Sequence, residues 1–168
     1  MSISIYQTTI PAFINSLQNL EAILNKALSF CEEKDIDPQV LLNYRLAVDM
    51  AALPKQIQIA TDTAKGCGAR LTGTEPPKYE DKETTFEELK ERLGKTIDYL
   101  KSLDFAQFEG AEEKQVELKL PSRTIEFSGI NYVNHFVTPN FYFHVTTAYC
   151  ILRHAGVPLG KMDYLGGS

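Results

Sequence analysis

Residues 131–157 read NYVNHFVTPNFYFHVTTAYCILRHAGV, and the fold turns on this stretch being a helix with one face in the core. Val133, Val137, Asn140, His144, Ala148, Ile151 and Ala155 recur at steps of three and four, which puts them on one helical face. Asn140 and His144 are the polar exceptions on that face, four residues apart. An inward polar group needs a hydrogen-bond partner, so this pair is the first place to look for a site.

Upstream, residues 115–128 change period. Val116, Leu118 and Leu120 alternate with polar neighbours, as do Ile125 and Phe127, and Pro121-Ser122 lies between the two runs. That pattern predicts a β-hairpin, which must pack on something larger to be stable. Before it, Thr85-Phe86-Glu87-Glu88 spells a capping box. Phe86, Leu89, Leu93, Ile97, Leu100 and Leu103 then continue at helical spacing. Residues 72–82 (TGTEPPKYEDK) form a loop, because Gly73 ends the preceding helix and Pro76-Pro77 cannot continue it.

That preceding helix is expected over about 50–71, with Met50, Leu53, Ile57, Ala60, Ala64, Cys67 and Leu71 as its seam. Ala60, Ala64 and Gly68 are small enough to admit a neighbouring helix closely. Asp37-Pro38 is a start signal for a short helix or turn over 38–45, and a single helix kinked at Pro54 is the alternative. The first helix is expected to begin near Thr9 with Pro11 in its first turn, and its apolar stripe runs from Ile10 to Cys31. At the other end, Gly156 and Pro158 stop the last helix, leaving KMDYLGGS as a loosely held tail.

The fold class is therefore all-α: an antiparallel four-helix bundle with a small β-hairpin between its third and fourth long helices. With 168 residues and neither repeat nor linker, one domain over 1–168 is expected. The net charge of −5 and the lack of a basic cluster argue against a nucleic-acid partner. No apolar run approaches the roughly 18 residues of a membrane span. Cys31, Cys67 and Cys150 are odd in number and far apart, which fits a reducing cytoplasm better than a disulfide framework. The N-terminal MSISIYQTTIPAF lacks the basic and apolar regions of a signal peptide.

Sites in bundles are built from inward side chains on facing helices. Besides Asn140 and His144, Asp49 lies at the expected start of the second long helix, with Gln56 seven residues on. Such nitrogen and oxygen donors can hold one divalent metal with open positions for water, and the bound water would be a nucleophile. With a single His, a harder metal with water completing its shell suits the set better than Zn²⁺. The plainer alternatives are that Asp49 caps its helix or pairs with Arg45, and that Asn140 and His144 join a core network with Tyr44, Tyr132 or Tyr142. His135 stands half a turn off the His144 face, unless a bulge near Pro139 swings it back. His154, beside Arg153 in the last turn, complements the helix dipole.

Several stretches carry a family resemblance: QIQIA (56–60) with Asp62 and Ala64-Lys65-Gly66, DKETTF (81–86), and PNFYFHVTTAY (139–149) followed by Ile151-Leu152-Arg153-His154 and Gly156-Val157. On these the chain resembles the DinB/YfiT-like superfamily and, within it, the domain-of-unknown-function family numbered nineteen ninety-three. The resemblance implies an up-down-down-up bundle, often a homodimer, with a pocket for a small-molecule ligand. Superfamily members of known chemistry are metal-dependent transferases of low-molecular-weight thiols, or hydrolases. They use a His of the second helix and two His four residues apart on the fourth, which by resemblance implies one divalent ion (Zn, Ni or Mn) for this chain. By that resemblance His144 matches the later His of the pair, Asn140 stands in place of the earlier one, and Asp49 lies near the second-helix position.

Overall fold

The structure is a computed structural model that describes residues 4–120 and 123–167. It is mostly helical, with one small antiparallel two-stranded sheet. Helix α1 spans Ile5–Lys34. Ser4 caps it by accepting the Gln7 N–H (3.3 Å), while the Gln7 side chain accepts the Ser4 N–H (3.1 Å). This box starts the helix ahead of the expected Thr9, so Pro11 lies in the helix interior and not in its first turn. Pro11 is on the exposed face, where water can serve the carbonyl that its missing N–H leaves free.

The short helix α2 covers Pro38–Leu42, with Asp37 accepting the Gln39 N–H at 2.9 Å. An irregular segment follows, and α3 runs Leu53–Thr72 with Pro54 in its first turn. Proline here sets where the helix begins, which removes both the kinked single helix and the expected start at Met50. Helix α4, Phe86–Lys101, opens on the predicted capping box: Thr85 Oγ1 accepts the Glu88 N–H (3.2 Å) and Glu88 accepts the Thr85 N–H (3.1 Å).

A 3₁₀ turn over Phe105–Phe108 leads to strands β1 (Gln115–Leu120) and β2 (Arg123–Ser128). Val116 faces Phe127 and Leu118 faces Ile125, as the alternation requires. The Pro121-Ser122 turn lies outside the described residues. Phe127 fixes the hairpin to the helices through the rings of Tyr132 (6.0 Å between centroids) and Phe136 (6.4 Å).

The last long helix is continuous but not uniform. It comprises α5 (Gly129–Tyr132), a π-helical segment Val133–Val137, and α6 (Thr138–His154). Pro139 explains the widening: its ring excludes the carbonyl one α-turn back, that of His135, and the wider turn relieves the clash. Gly156, at φ +99°, then ends the helix. The tail is not loose. Helix α7, Lys161–Leu165, lies along α1, where Asn19 donates to the Tyr164 carbonyl (3.1 Å) and Lys26 pairs with Asp163. Its Tyr164 hydroxyl also meets Thr146 on α6 at 2.9 Å.

Helix α3 packs against α6 and α4, and α1 packs against the same two from the other side. Phe13, Leu17 and Leu24 of α1, Ile57, Ala60 and Ala64 of α3, Leu89 and Leu93 of α4, and Phe141, Ala148 and Ile151 of α6 close the core between them. At Gly68 the room left by the missing side chain is taken by the Leu103 and Tyr99 side chains. Among the described residues, no helix is long and apolar enough to cross a membrane.

At the hairpin junction a Cβ on Gly129 would lie 1.8 Å from the Ala111 carbonyl oxygen. Gly129→Ala is therefore expected to destabilise the protein by about 2–3 kcal/mol, read as a lower urea midpoint with an unchanged slope.

Candidate site between α3 and α6

Two side-chain pairs cross the contact of α3 with α6. The first joins His144 to Gln56, with His144 Nδ1 2.7 Å from Gln56 Oε1. The Gln56 amide is oriented by its other end, which donates from Nε2 to the Ala51 carbonyl at 2.8 Å. Oε1 is therefore the atom facing His144, and Nδ1 must carry the proton. That leaves Nε2 of the neutral imidazole with a free lone pair. Gln56 is only 2% exposed and His144 is half-buried, with the exposed Phe143 ring set edge-on against the imidazole. Burial pushes the His144 pKa below its ordinary value, so the neutral form is favoured.

The second pair joins Asn140 to Thr63. Asn140 Nδ2 donates to Thr63 Oγ1 at 2.7 Å, and the Thr63 hydroxyl donates onward to the Ile59 carbonyl at 2.7 Å. Both inward polar residues of α6 thus end on α3, each on a partner that is itself held.

The other expected participants lie elsewhere. Asp49 is exposed in the irregular segment before Leu53. It therefore shares no helical face with Gln56, neither caps α3 nor pairs with Arg45, and makes no hydrogen bond to His144 or Gln56. The bulge that would redirect His135 does exist, but His135 sits exposed within it. None of Tyr44, Tyr132 or Tyr142 partners His144 or Asn140. The Tyr132 hydroxyl instead takes a hydrogen bond from Arg70 at 3.0 Å. Burial pushes that phenol up to about 12. His154 is exposed, its ring 5.8 Å from that of Tyr44.

The chemistry of this seam can be set against the divalent metal that the resemblance implies. Its donors are one imidazole nitrogen, two amide groups and one hydroxyl, all neutral, and the Gln56 oxygen is already committed to the His144 N–H. A divalent ion in a partly dry site needs several imidazoles, thiolates or carboxylates. Among the described residues no group of three His, Cys, Asp or Glu side chains stands together. The residues present do not fit the metal.

A second polar cluster lies on the opposite flank of α3. Arg92 of α4 is 2% exposed and all its nitrogens are engaged. Nε donates to Thr61 Oγ1 (2.7 Å), Nη2 to Asp62 (2.8 Å), and Nη1 to Glu83 (2.9 Å) and Asp81 (3.1 Å). Burial works to raise the carboxyl of Asp81, but the hydrogen bond from Lys55 and the charges of Lys55 and Arg92 outweigh it and hold it below its usual range. Glu83 is lowered likewise: burial opposes, and hydrogen bonds led by that of Arg92 prevail. The spacing Leu89, Arg92, Thr96 puts this arginine on the apolar stripe of its helix, and that was the available signal for it in the sequence.

A family described as a domain of unknown function, DUF1993, matches residues 5–165. The chain belongs to the DUF1993 family. A crystal structure of a DinB family member protein from Shewanella denitrificans is similar throughout, with 44% identity and a TM-score of 0.90, covering 97% of this chain and 92% of that one. No curated protein matches it. In this DUF1993 protein the stretches that carry the resemblance lie along both flanks of α3. QIQIA contributes Gln56 to the His144 pair and Gln58 to the Arg92 cluster, DKETTF contributes Asp81 and Glu83, and PNFYFHVTTAY contributes Asn140 and His144.

The His144 shift has a consequence for stability. Its folded pKa lies below its unfolded value, so the unfolded chain binds more protons in acid. The contribution is complete above the ordinary imidazole value of about 6.5 and is lost as pH falls through the lower folded value. In His144→Gln the fall in urea stability between roughly pH 7 and pH 5 is expected to be shallower than in the wild type.

Proposed function

We propose that this DUF1993 protein is a cytoplasmic, homodimeric binding protein without metal chemistry, built as one antiparallel four-helix-bundle domain over 1–168. The observation that carries this reading is the His144–Gln56 contact, in which the imidazole uses its Nδ1 proton on a neutral amide in a seam that supplies no negative charge. Asn140, tied to Thr63, extends the same neutral network. The packing of four long helices, each against two others, supports the bundle. The exposed apolar side chains Phe143 on α6 and Leu46 before α3 support a second copy as partner, since such groups gain by being covered. A metal-dependent transferase or hydrolase, the competing reading, would need imidazole or carboxylate donors in place of Gln56 and Asn140.

Elemental analysis of protein purified without a metal-binding tag tests the first part. Less than a tenth of an equivalent of divalent metal is expected, and added Zn²⁺, Ni²⁺ or Mn²⁺ should leave Tm within about 1 °C. A stoichiometric metal that disappears in His144→Ala would contradict the reading. Light scattering on the eluting protein tests the second part. A mass near twice 18.9 kDa is expected, and one at 18.9 kDa would remove the dimer.

A further inference from the structure

The connection between α3 and α4 is held in an unusual way. Not one of residues 73–85 is buried. Residues 75–82 pair none of their backbone groups with another backbone group. Apart from Gln39 Nε2, which donates to the Thr84 carbonyl at 2.9 Å, what fixes the segment is charge. Asp81 pairs with Lys55 (2.6 Å) and Arg92 (3.1 Å). Glu83 accepts from Arg92 and from Gln58 Nε2, each at 2.9 Å. The Tyr79 ring packs against two cations that share Asp62, 4.4 Å from Lys65 Nζ and 5.1 Å from the Arg92 guanidinium.

Beneath this segment, α3 and α4 present three cations, Lys55, Lys65 and Arg92. Of the carboxylates paired with them, Asp62 is the one that α3 itself supplies, bound to Lys65 and Arg92 at 2.8 Å each. Without the connecting segment this groove carries a formal surplus of two positive charges. Asp81 and Glu83 bring it to neutrality. Other charges on the same flank are engaged elsewhere: Glu88 caps α4, Lys95 pairs with Glu91, and Lys82 pairs with Glu80. A cleft lined by Tyr79, Glu83 and Arg92 already separates part of the segment from α4.

We propose that residues 73–85 form a strap whose Asp81 and Glu83 act as an internal ligand of a dianion site made by Arg92, Lys55 and Lys65. A small dianion of the phosphate type occupies that site when the strap lifts. The strap has no fully buried residue and no backbone ladder to break, so these ion pairs dominate its stability. Such pairs weaken when one partner is neutralised or salt is raised. The site lies across α3 from the His144 seam and does not depend on how that seam is read.

The test uses the full chain carrying Asp81→Asn together with Glu83→Gln, which keeps side-chain size and removes both charges. Hydrogen exchange followed by mass spectrometry should show peptides within 74–84 exchanging at least about tenfold faster than in the wild type, with α1 and α6 unchanged. By calorimetry the same variant should bind one equivalent of inorganic phosphate at least about tenfold more tightly than the wild type, and adding Lys65→Gln should weaken that binding again. Unchanged strap exchange, an equal rise in α1 and α6, or a released strap that binds phosphate no better than the wild type would each overturn the proposal.

Discussion

Helix α3 is buried on almost every side, and each polar side chain that it carries inward has to be answered by another element. Gln56 is answered by His144 of α6 and by the Ala51 carbonyl. Gln58 is answered by Glu83, Thr61 by Arg92 of α4, Thr63 by Asn140 of α6, and Arg70 by the Tyr132 hydroxyl. An intact pair contributes about 1 kcal/mol net, whereas a buried group left alone costs about 1–3 kcal/mol. The asymmetry matters more than the gain. Each element around α3 is confined to the position that supplies its partner, and a shift of one residue along either helix would strand several groups at once.

This constraint accounts for the two flanks of the helix. Toward α6 the partners are neutral and the pairs resemble the amide and hydroxyl links of an ordinary core. Toward α4 they are charged, centred on a buried guanidinium. A buried arginine is tolerable only when its desolvation is offset by good geometry and full pairing. Arg92 meets that condition by drawing in Asp62 from α3 and two carboxylates from the connecting strap. A segment with no apolar anchor of its own is thereby given a definite path. The Tyr79 ring, packed against both Lys65 and Arg92, completes the arrangement.

Much of the fold was legible because its signals are local. The Thr85–Glu88 box, the alternation of Val116 and Leu118, and the steps of three and four in α4 and α6 each state one period without competition. The misreadings have physical causes. The Ser4–Gln7 box is masked by Pro11, which by itself suggests a first-turn proline, although an exposed proline can sit deeper in a helix. The tail follows a helix stop and carries no long apolar period, yet Tyr164 and Asp163 dock it onto α1 and α6. At the site, the inward facing of Asn140 and His144 follows from spacing, but their partners are on another helix, and no periodicity says which of its residues lies opposite. Asp49 was placed by assuming a helix start that Pro54 moves to Leu53. Arg92 is hidden because a lone arginine among leucines reads as a solvated side chain until Asp62 of α3 and Asp81 and Glu83 of the connecting strap are seen around it.

The account rests on His144 being a neutral imidazole that donates through Nδ1 to an amide oxygen, and the tautomer can be observed directly. Long-range ¹⁵N–¹H correlation of labelled protein, somewhat above neutral pH, distinguishes a protonated ring nitrogen from one with a free lone pair. The account predicts a protonated Nδ1 and an unprotonated Nε2 for His144, with both signals unmoved by added Zn²⁺. Protonation at Nε2, or a His144 signal that shifts stoichiometrically with metal, would contradict it.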